Sequence, residues 1–169
     1  AVFRRLADKA DVLVDNNRPG ALEKWGFAPD TLRETNSGLV TVRISGYGQT
    51  GPAANWVGHD LNYDALAGML ATTDLRADGA PAIPGLTVAD SAGGGMHAVI
   101  SILAGLLRSK ISGEGSYLDV SMAEGVLYLM SMHVDEYLAT GKEPAQGTSI
   151  LTGGYACYDL YQTADGKWL

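Results

Sequence analysis

Two residues able to move a proton or carry an acyl group, His59 and Asp90, stand 31 positions apart, each where a loop gives way to a helical pattern. Asp90 leads Ser91-Ala92-Gly93-Gly94-Gly95 into a strongly apolar helix. A carboxylate there can be a nucleophile toward an acyl carbon, an acid/base for a proton on carbon, or a plain N-cap. Helix-end donors would lower its pKa and burial would raise it, so its protonation state stays open. Each glycine costs about 1 kcal/mol against alanine inside a helix, so three together suit a place where something approaches closely. Positions 90, 93, 94 and 97 share a face, which reads as an acid followed by empty space: a substrate floor made by Gly93 and Gly94.

His59 lies in Gly58-His59-Asp60-Leu61-Asn62-Tyr63. Taken alone, a histidine is as well explained as a surface or core residue. This one sits at a helix start, where free backbone N–H groups, that of Asp60 among them, can receive an oxyanion. One helix plus one loop separates it from Asp90, enough to return both helix starts to a common cleft. His97 and His133 fall within apolar helical runs and read as structural. No histidine or carboxylate pair has metal-ligand spacing, so no metal is expected. A Gly-x-Ser-x-Gly elbow, a P-loop and a Gly-x-Gly-x-x-Gly fingerprint are all absent from the sequence.

The elements that must position this pair alternate helix and strand. Residues 1–10 have helical spacing, and Asp11–Asp15 is a short apolar strand. Arg18-Pro19-Gly20 breaks the pattern before a short helix to Trp25. Pro29 opens another helix that Gly38 ends, and Leu39–Ile44 is the next strand. Gly46-Tyr47-Gly48-Gln49-Thr50-Gly51-Pro52 follows as a loop whose glycines suit either a ligand or an ordinary turn. The spacing predicts a helix over His59–Ala71, an extended stretch Leu86–Ala89, and a helix from Asp90, with Ser91, to about Ile111. A strand Ser116–Ser121, a helix Met122–Ala139, and a strand Tyr155–Gln162 entering an Asp-Gly hairpin complete the pattern. The expected fold is α/β: a Rossmann-like parallel sheet flanked by helices, with ligands beyond the carboxyl ends of its strands. Residues 1–140 form the large domain in this reading, and 141–169 a linker and the start of a smaller one.

Composition narrows the partners. A net charge of −7 and a pI near 4.8 argue against nucleic acid, whose backbone needs a cationic surface. A polyanionic ligand would therefore need cations gathered locally. A hydrophobic content of 46% with 18% charged residues fits one globular domain in 169 residues. No apolar run reaches the roughly 18 residues of a membrane span and no secretory signal is present, so no membrane association and a cytoplasmic location are expected. One cysteine, Cys157, excludes an internal disulfide framework. The chain starts inside a helical pattern and stops as a strand begins, which reads as an internal fragment.

Taken in order, Ala10–Asp15 with Arg18-Pro19-Gly20, the Gly46–Pro52 loop, Gly58–Tyr63, Asp90 with its glycines, and Gly113-Glu114-Gly115 through Asp119-Val120-Ser121-Met122 resemble the family III CoA-transferases across essentially the whole chain. The resemblance implies a CoA thioester substrate, no cofactor beyond that CoA, and an interlocked homodimer for the full-length protein. The histidine of Gly-His-Asp-hydrophobic-Asn-Tyr is characteristic of the α-methylacyl-CoA racemase branch. It implies a 1,1-proton transfer beside the thioester carbonyl, with His59 and Asp90 as the two bases and the Asp60 N–H holding the enolate oxygen. In the transferase branch the matching aspartate is instead the nucleophile that carries acyl and CoA groups. A non-catalytic CoA-binding module is the third reading. Arg18 and Lys24 match the cation region near the CoA phosphates, Lys24 standing where the family usually has arginine. Gly46, Tyr47, Tyr63, Gly93 and Gly94 would line the substrate site. The family's N-terminal segment, and the glutamate that pairs with the histidine beyond the position of Leu169, lie outside this sequence.

Overall fold

The computed structural model describes residues 2–169. Its centre is a parallel sheet of three strands in the order β1 (Val12–Asp15), β2 (Val40–Ser45), β3 (Ser116–Ser121). Val12 aligns with Val40, and Val40 in turn with Ser116. Helix α1 (Val2–Ala7) precedes β1, while α2 (Ala21–Lys24) and α3 (Pro29–Arg33) connect β1 to β2. The longer connection to β3 carries α4 (Asp60–Leu66), a 3₁₀ turn (Met69–Ala71), a π-helix (Ala89–Met96) and α5 (His97–Ser112); α6 (Met122–Leu129) and α7 (Ser131–Thr140) follow.

The middle strand explains why this sequence makes a parallel sheet. Val40 and Val42 are fully buried, and Val42 packs with Ala98 and Val120 beneath α5. Gly105 lets α5 close on the strand: a Cβ there would meet Val40 at 2.9 Å. On the other face Arg43, 2% exposed, pairs through Nε with Asp15 at 3.0 Å and through Nη1 with Glu23 at 2.6 Å. Those pairs tie β1 and α2 to β2. Burial of each valine contributes roughly 1.5–3 kcal/mol, whereas a buried ion pair roughly balances its own desolvation. Apolar packing therefore stabilises the sheet, and the ions fix where α2 lies.

Several elements depart from the sequence expectation. Leu86–Ala89 is not extended, because no strand is there to pair with it and the chain enters a helix at Val88 instead. The helix expected from Asp90 opens with eight residues of π-geometry before α5. The His59–Ala71 helix stops at Leu66, where Gly68 takes φ 84° and a 3₁₀ turn follows. Met130 divides the Met122–Ala139 helix in two. The Tyr155–Gln162 strand reduces to a Gln162–Trp168 bridge closing the Asp165-Gly166 turn.

Ala89–Ser112 is a continuous 24-residue helix, long and apolar enough by length and composition to cross a membrane. The expectation that no such run exists is corrected. In this fold Ala98 and Gly105 seat its inner face on the sheet, while Val99, Ile100, Leu103, Leu107 and Ile111 are exposed on the other.

Candidate active site

A cleft of about 580 Å³ opens beyond the carboxyl ends of all three strands, where an α/β sheet gathers ligands. Asn16, Asn17 and Arg18 follow β1 into it; Ser45, Gly46 and Tyr47 come from the end of β2 and Met122 from the end of β3. Trp56, Gly58, His59, Asn62 and Tyr63 close the remaining side. The aromatic wall is edge-packed: Tyr47 meets Tyr63 at 5.0 Å and Trp56 at 5.7 Å between ring centroids.

Glycines set this wall. A Cβ on Gly46 would collide with the Tyr63 ring, and one on Gly58 would stand 2.9 Å from both the Tyr47 hydroxyl and the Tyr63 ring. The Tyr63 hydroxyl donates to the Gly58 carbonyl at 2.6 Å. Burial, then the neighbouring Tyr47 and Asp90, push its pKa above the usual phenol value, so Tyr63 is a fixed neutral group and not a base.

His59 caps α4, with its backbone N–H donating to Asn62 Oδ1 at 2.9 Å and its side chain exposed at the cleft. The next residue, Asp60, is buried at 8% exposure, and its Oδ1 accepts the Asp90 backbone N–H at 2.9 Å. That single bond joins the start of α4 to the start of the π-helix, bringing His59 and Asp90 to one region of the molecule, with His59 lining the cleft and Asp90 outside its lining near Tyr63.

Asp90 is not an N-cap. Val88 holds the cap position and no side chain caps the π-helix. The Asp90 carboxylate is exposed and accepts no hydrogen bond among the described residues, while Ser91 bonds back to Thr87 at 3.0 Å. The N-cap reading of this aspartate is thereby corrected: it lies within the first turn of the helix. Widened π-turns are rare and frequent at functional sites.

The glycines after Asp90 have a different role from the one their spacing suggested. Gly93 and Gly94 are buried under α6 and β2, and neither lines the cleft. A Cβ on Gly93 would lie 2.6 Å from the Met122 carbonyl oxygen, and one on Gly94 3.0 Å from the Met122 side chain. The space above them is filled by protein, because Gly93 and Gly125 bring the π-helix and α6 together backbone to backbone.

A second hollow of about 320 Å³, lined by Arg18, Pro19, Ala21, Lys24, Trp25 and Asn55, shares Arg18 and Pro19 with the main cleft. Arg18 donates to the Asn55 carbonyl at 2.7 Å, pinning the loop of Trp56 and Gly58 over the β1 turn. Lys24 is exposed at its rim. The arrangement suits an elongated ligand with an anionic end at Arg18 and Lys24 and a reacting end near His59. Sequence reasoning missed Asn16, Asn17 and Trp56, whose only signal was proximity to strand ends. It also missed Asp64, one turn beyond Asp60, visible as an Asp-x-x-x-Asp spacing.

The sheet, its flanking helices and the cleft define an α/β protein of CaiB/BaiF architecture: the structure superposes on the crystal structure of a CAIB/BAIF family protein from Brucella suis with a TM-score of 0.83 at 28% identity, over 99% of this chain and 43% of that one. The chain belongs to CoA-transferase family III, whose sequence profile matches residues 1–169. It is 37% identical over 169 residues to alpha-methylacyl-CoA racemase of Homo sapiens, covering 100% of this chain and 44% of that protein. It is 36% identical over 168 residues to succinyl-CoA–D-citramalate CoA-transferase of Chloroflexus aurantiacus, covering 99% of this chain and 41% of that protein. The chain spans less than half the length of the curated relatives it matches.

Proposed function

We propose that the full-length protein interconverts the epimers of a 2-methyl-branched acyl-CoA by 1,1-proton transfer through an enolate. The observation that carries this reading is the Asp90 N–H to Asp60 bond, which ties an otherwise unengaged carboxylate, outside the cleft lining but close enough to act on Tyr63, to the helix start that presents His59 at the cleft. Inversion at carbon requires removal of a proton from one face and delivery to the other, so two bases on different elements are needed. His59 on α4 and Asp90 on the π-helix fill those roles. The thioester carbonyl acidifies the α-proton, and the Asp60 N–H, at the first position of α4 where no intrahelical partner exists, receives the enolate oxygen. Tyr47 and Tyr63 shape the acyl pocket, while Arg18 and Lys24 meet the CoA phosphates. The only cofactor in this reading is the CoA of the substrate, and the working location is the cytoplasm. An interlocked homodimer completes the assembly.

A second reading has its own support. An exposed Asp90 carboxylate with no hydrogen-bond partner is also a competent nucleophile, and a CoA-transferase is as similar to this chain as a racemase is. In that case Asp90 attacks an acyl-CoA, forms an aspartyl anhydride and releases CoA thiolate, while His59 shapes the pocket.

Full-length protein incubated with (2R)-2-methylacyl-CoA in deuterium oxide distinguishes the two. The expected result is deuterium at the α-carbon with loss of optical purity, slowed by about 10²–10⁴-fold in His59→Ala and in Asp90→Asn. CoA appearing on an added carboxylic acid, with a hydroxylamine-trappable acyl group on Asp90 and no exchange, would establish the transferase instead.

A further inference from the structure

Asp64 is buried at 0% exposure, and neither carboxyl oxygen has a hydrogen-bond partner among the described residues. The chemistry above makes no use of it. It follows Asp60 by one helical turn, so both acids project from the same face of α4. Asp60 is also buried, and its Oδ1 is occupied by the Asp90 N–H.

Among the described residues the surroundings offer Asp64 no cation. On its own helix the charged neighbour is Asp60, and on the π-helix it is Asp90. The 3₁₀ turn Met69–Ala71 carries no ionisable group, and the titratable residues of α6, Glu124 and Tyr128, line a separate hollow with His97. A second carboxylate at this place is costly, since buried charges without a partner are strongly disfavoured. A carboxylic acid fits, having one O–H to donate and an oxygen left to accept.

We propose that Asp64 is a positioning residue: as a carboxylic acid it donates a hydrogen bond to the Asp60 carboxylate, and this acid–carboxylate pair holds Asp60 where it accepts the Asp90 N–H and so fixes Asp90 relative to the His59 end of α4. The proton comes from solvent, and the pair carries one negative charge in place of two. The role rests on the reading that Asp90 does the chemistry, by either of the two reactions. Burial first, then the nearby charge of Asp60 and the hydrogen bond a protonated Asp64 would give it, raise the Asp64 carboxyl from 3.8 to about 6, while the nearby Ala89 amide acts in the opposite sense. The folded protein therefore holds this proton more tightly than the unfolded chain. The stabilisation is fully present below about pH 4 and is lost as pH rises through about 6. Above that pH two like charges share the site, and the Asp60 seat for Asp90 loosens.

The test uses full-length protein in three forms: wild type, Asp64→Asn, whose amide donates to Asp60 at every pH, and Asp64→Leu, which fills the volume without a donor. Infrared spectra at pH 5 should show a buried carboxylic-acid carbonyl band that vanishes as pH passes 6 and is missing from Asp64→Asn. Across the same range wild-type Tm should fall more steeply than that of Asp64→Asn. Turnover should decline above pH 6 in wild type, hold to higher pH in Asp64→Asn, and drop at least tenfold in kcat with little change in KM in Asp64→Leu. Absence of the infrared band, or identical pH profiles in wild type and Asp64→Asn, overturns the proposal; so does full kcat in Asp64→Leu. If Asp64→Leu does not fold, the comparison with Asp64→Asn decides. An intact infrared and Tm pattern without activity on either substrate class would sink the functional reading and leave the acid pair standing.

Discussion

The candidate site is built differently at its two ends. Beneath Asp90 the π-helix, α4 and α6 meet with no room to spare: Gly93 and Gly125 touch through backbone, and Asp60 and Asp64 are shut away from solvent. At the other end Arg18 and Lys24 stand exposed around a shallow hollow, and of their two side chains only that of Arg18 is hydrogen-bonded among the described residues. The difference follows from what each end has to do. Proton transfer and acyl attack need reacting atoms about 3–3.5 Å apart, so a group that reacts must be held by its neighbours. Attraction between a cation and a phosphate still acts over a screening length of about 8–10 Å, so side chains that recognise an anion can be mobile.

Crowding the closed end should have the largest effect on the protein itself. Gly125→Ala places a methyl group against the Gly93 carbonyl, a backbone atom that cannot swing aside. Overpacking of this kind costs up to about 3 kcal/mol, against about 1 kcal/mol gained in helix propensity. A net loss near 2 kcal/mol is expected, read as a Tm lower by about 5 °C together with reduced turnover. Unchanged Tm and turnover would show that the closed end has more play than its geometry implies.

At the open end the effect should be confined to binding. Arg18→Ala is expected to raise KM for a CoA thioester about tenfold with kcat nearly intact, and the difference should shrink in high salt. A kcat loss as large as the KM change would mean that Arg18 also fixes the reacting end, through its bond to Asn55. The smallest effect belongs to Lys24→Arg, which keeps the charge and adds a bidentate donor. A KM lower by about two- to threefold is expected for that variant, with Tm unmoved; a rise would place the phosphates elsewhere.

The same contrast governs what the sequence made legible. Strands β1, β2 and β3 were visible because short apolar runs between turn residues are what a covered parallel sheet requires. Arg18, Gly46 and Tyr47, all close to strand ends, were singled out by the family resemblance, whereas topology alone left Asn16 and Asn17 unread. Gly93 and Gly94 were misplaced because missing side chains leave room for a ligand or for a packed helix, and only the position of α6 decides which. The π-geometry at Ala89–Met96 escaped because helical spacing was read with a 3.6-residue period, and the wider turn obeys another. Asp64 escaped for a different reason: an acid is assigned to solvent unless a partner is seen, and here its partner is another acid.

The π-helix makes the fit of Gly93 against Gly125 a matter of chain length as well as composition. Such a segment holds one residue more than the α-helix that would bridge the same gap. Removing one, for instance Gly95, would let the segment relax to ordinary α-geometry across the same gap, so that both ends keep their places while the turn between them narrows. Residues inside that turn, Gly93 among them, would shift about the axis and lose their backbone fit against Gly125, although every functional side chain was still encoded. Among homologous sequences, a one-residue gap between positions 89 and 96 should therefore be accompanied by a change at the position of Gly125.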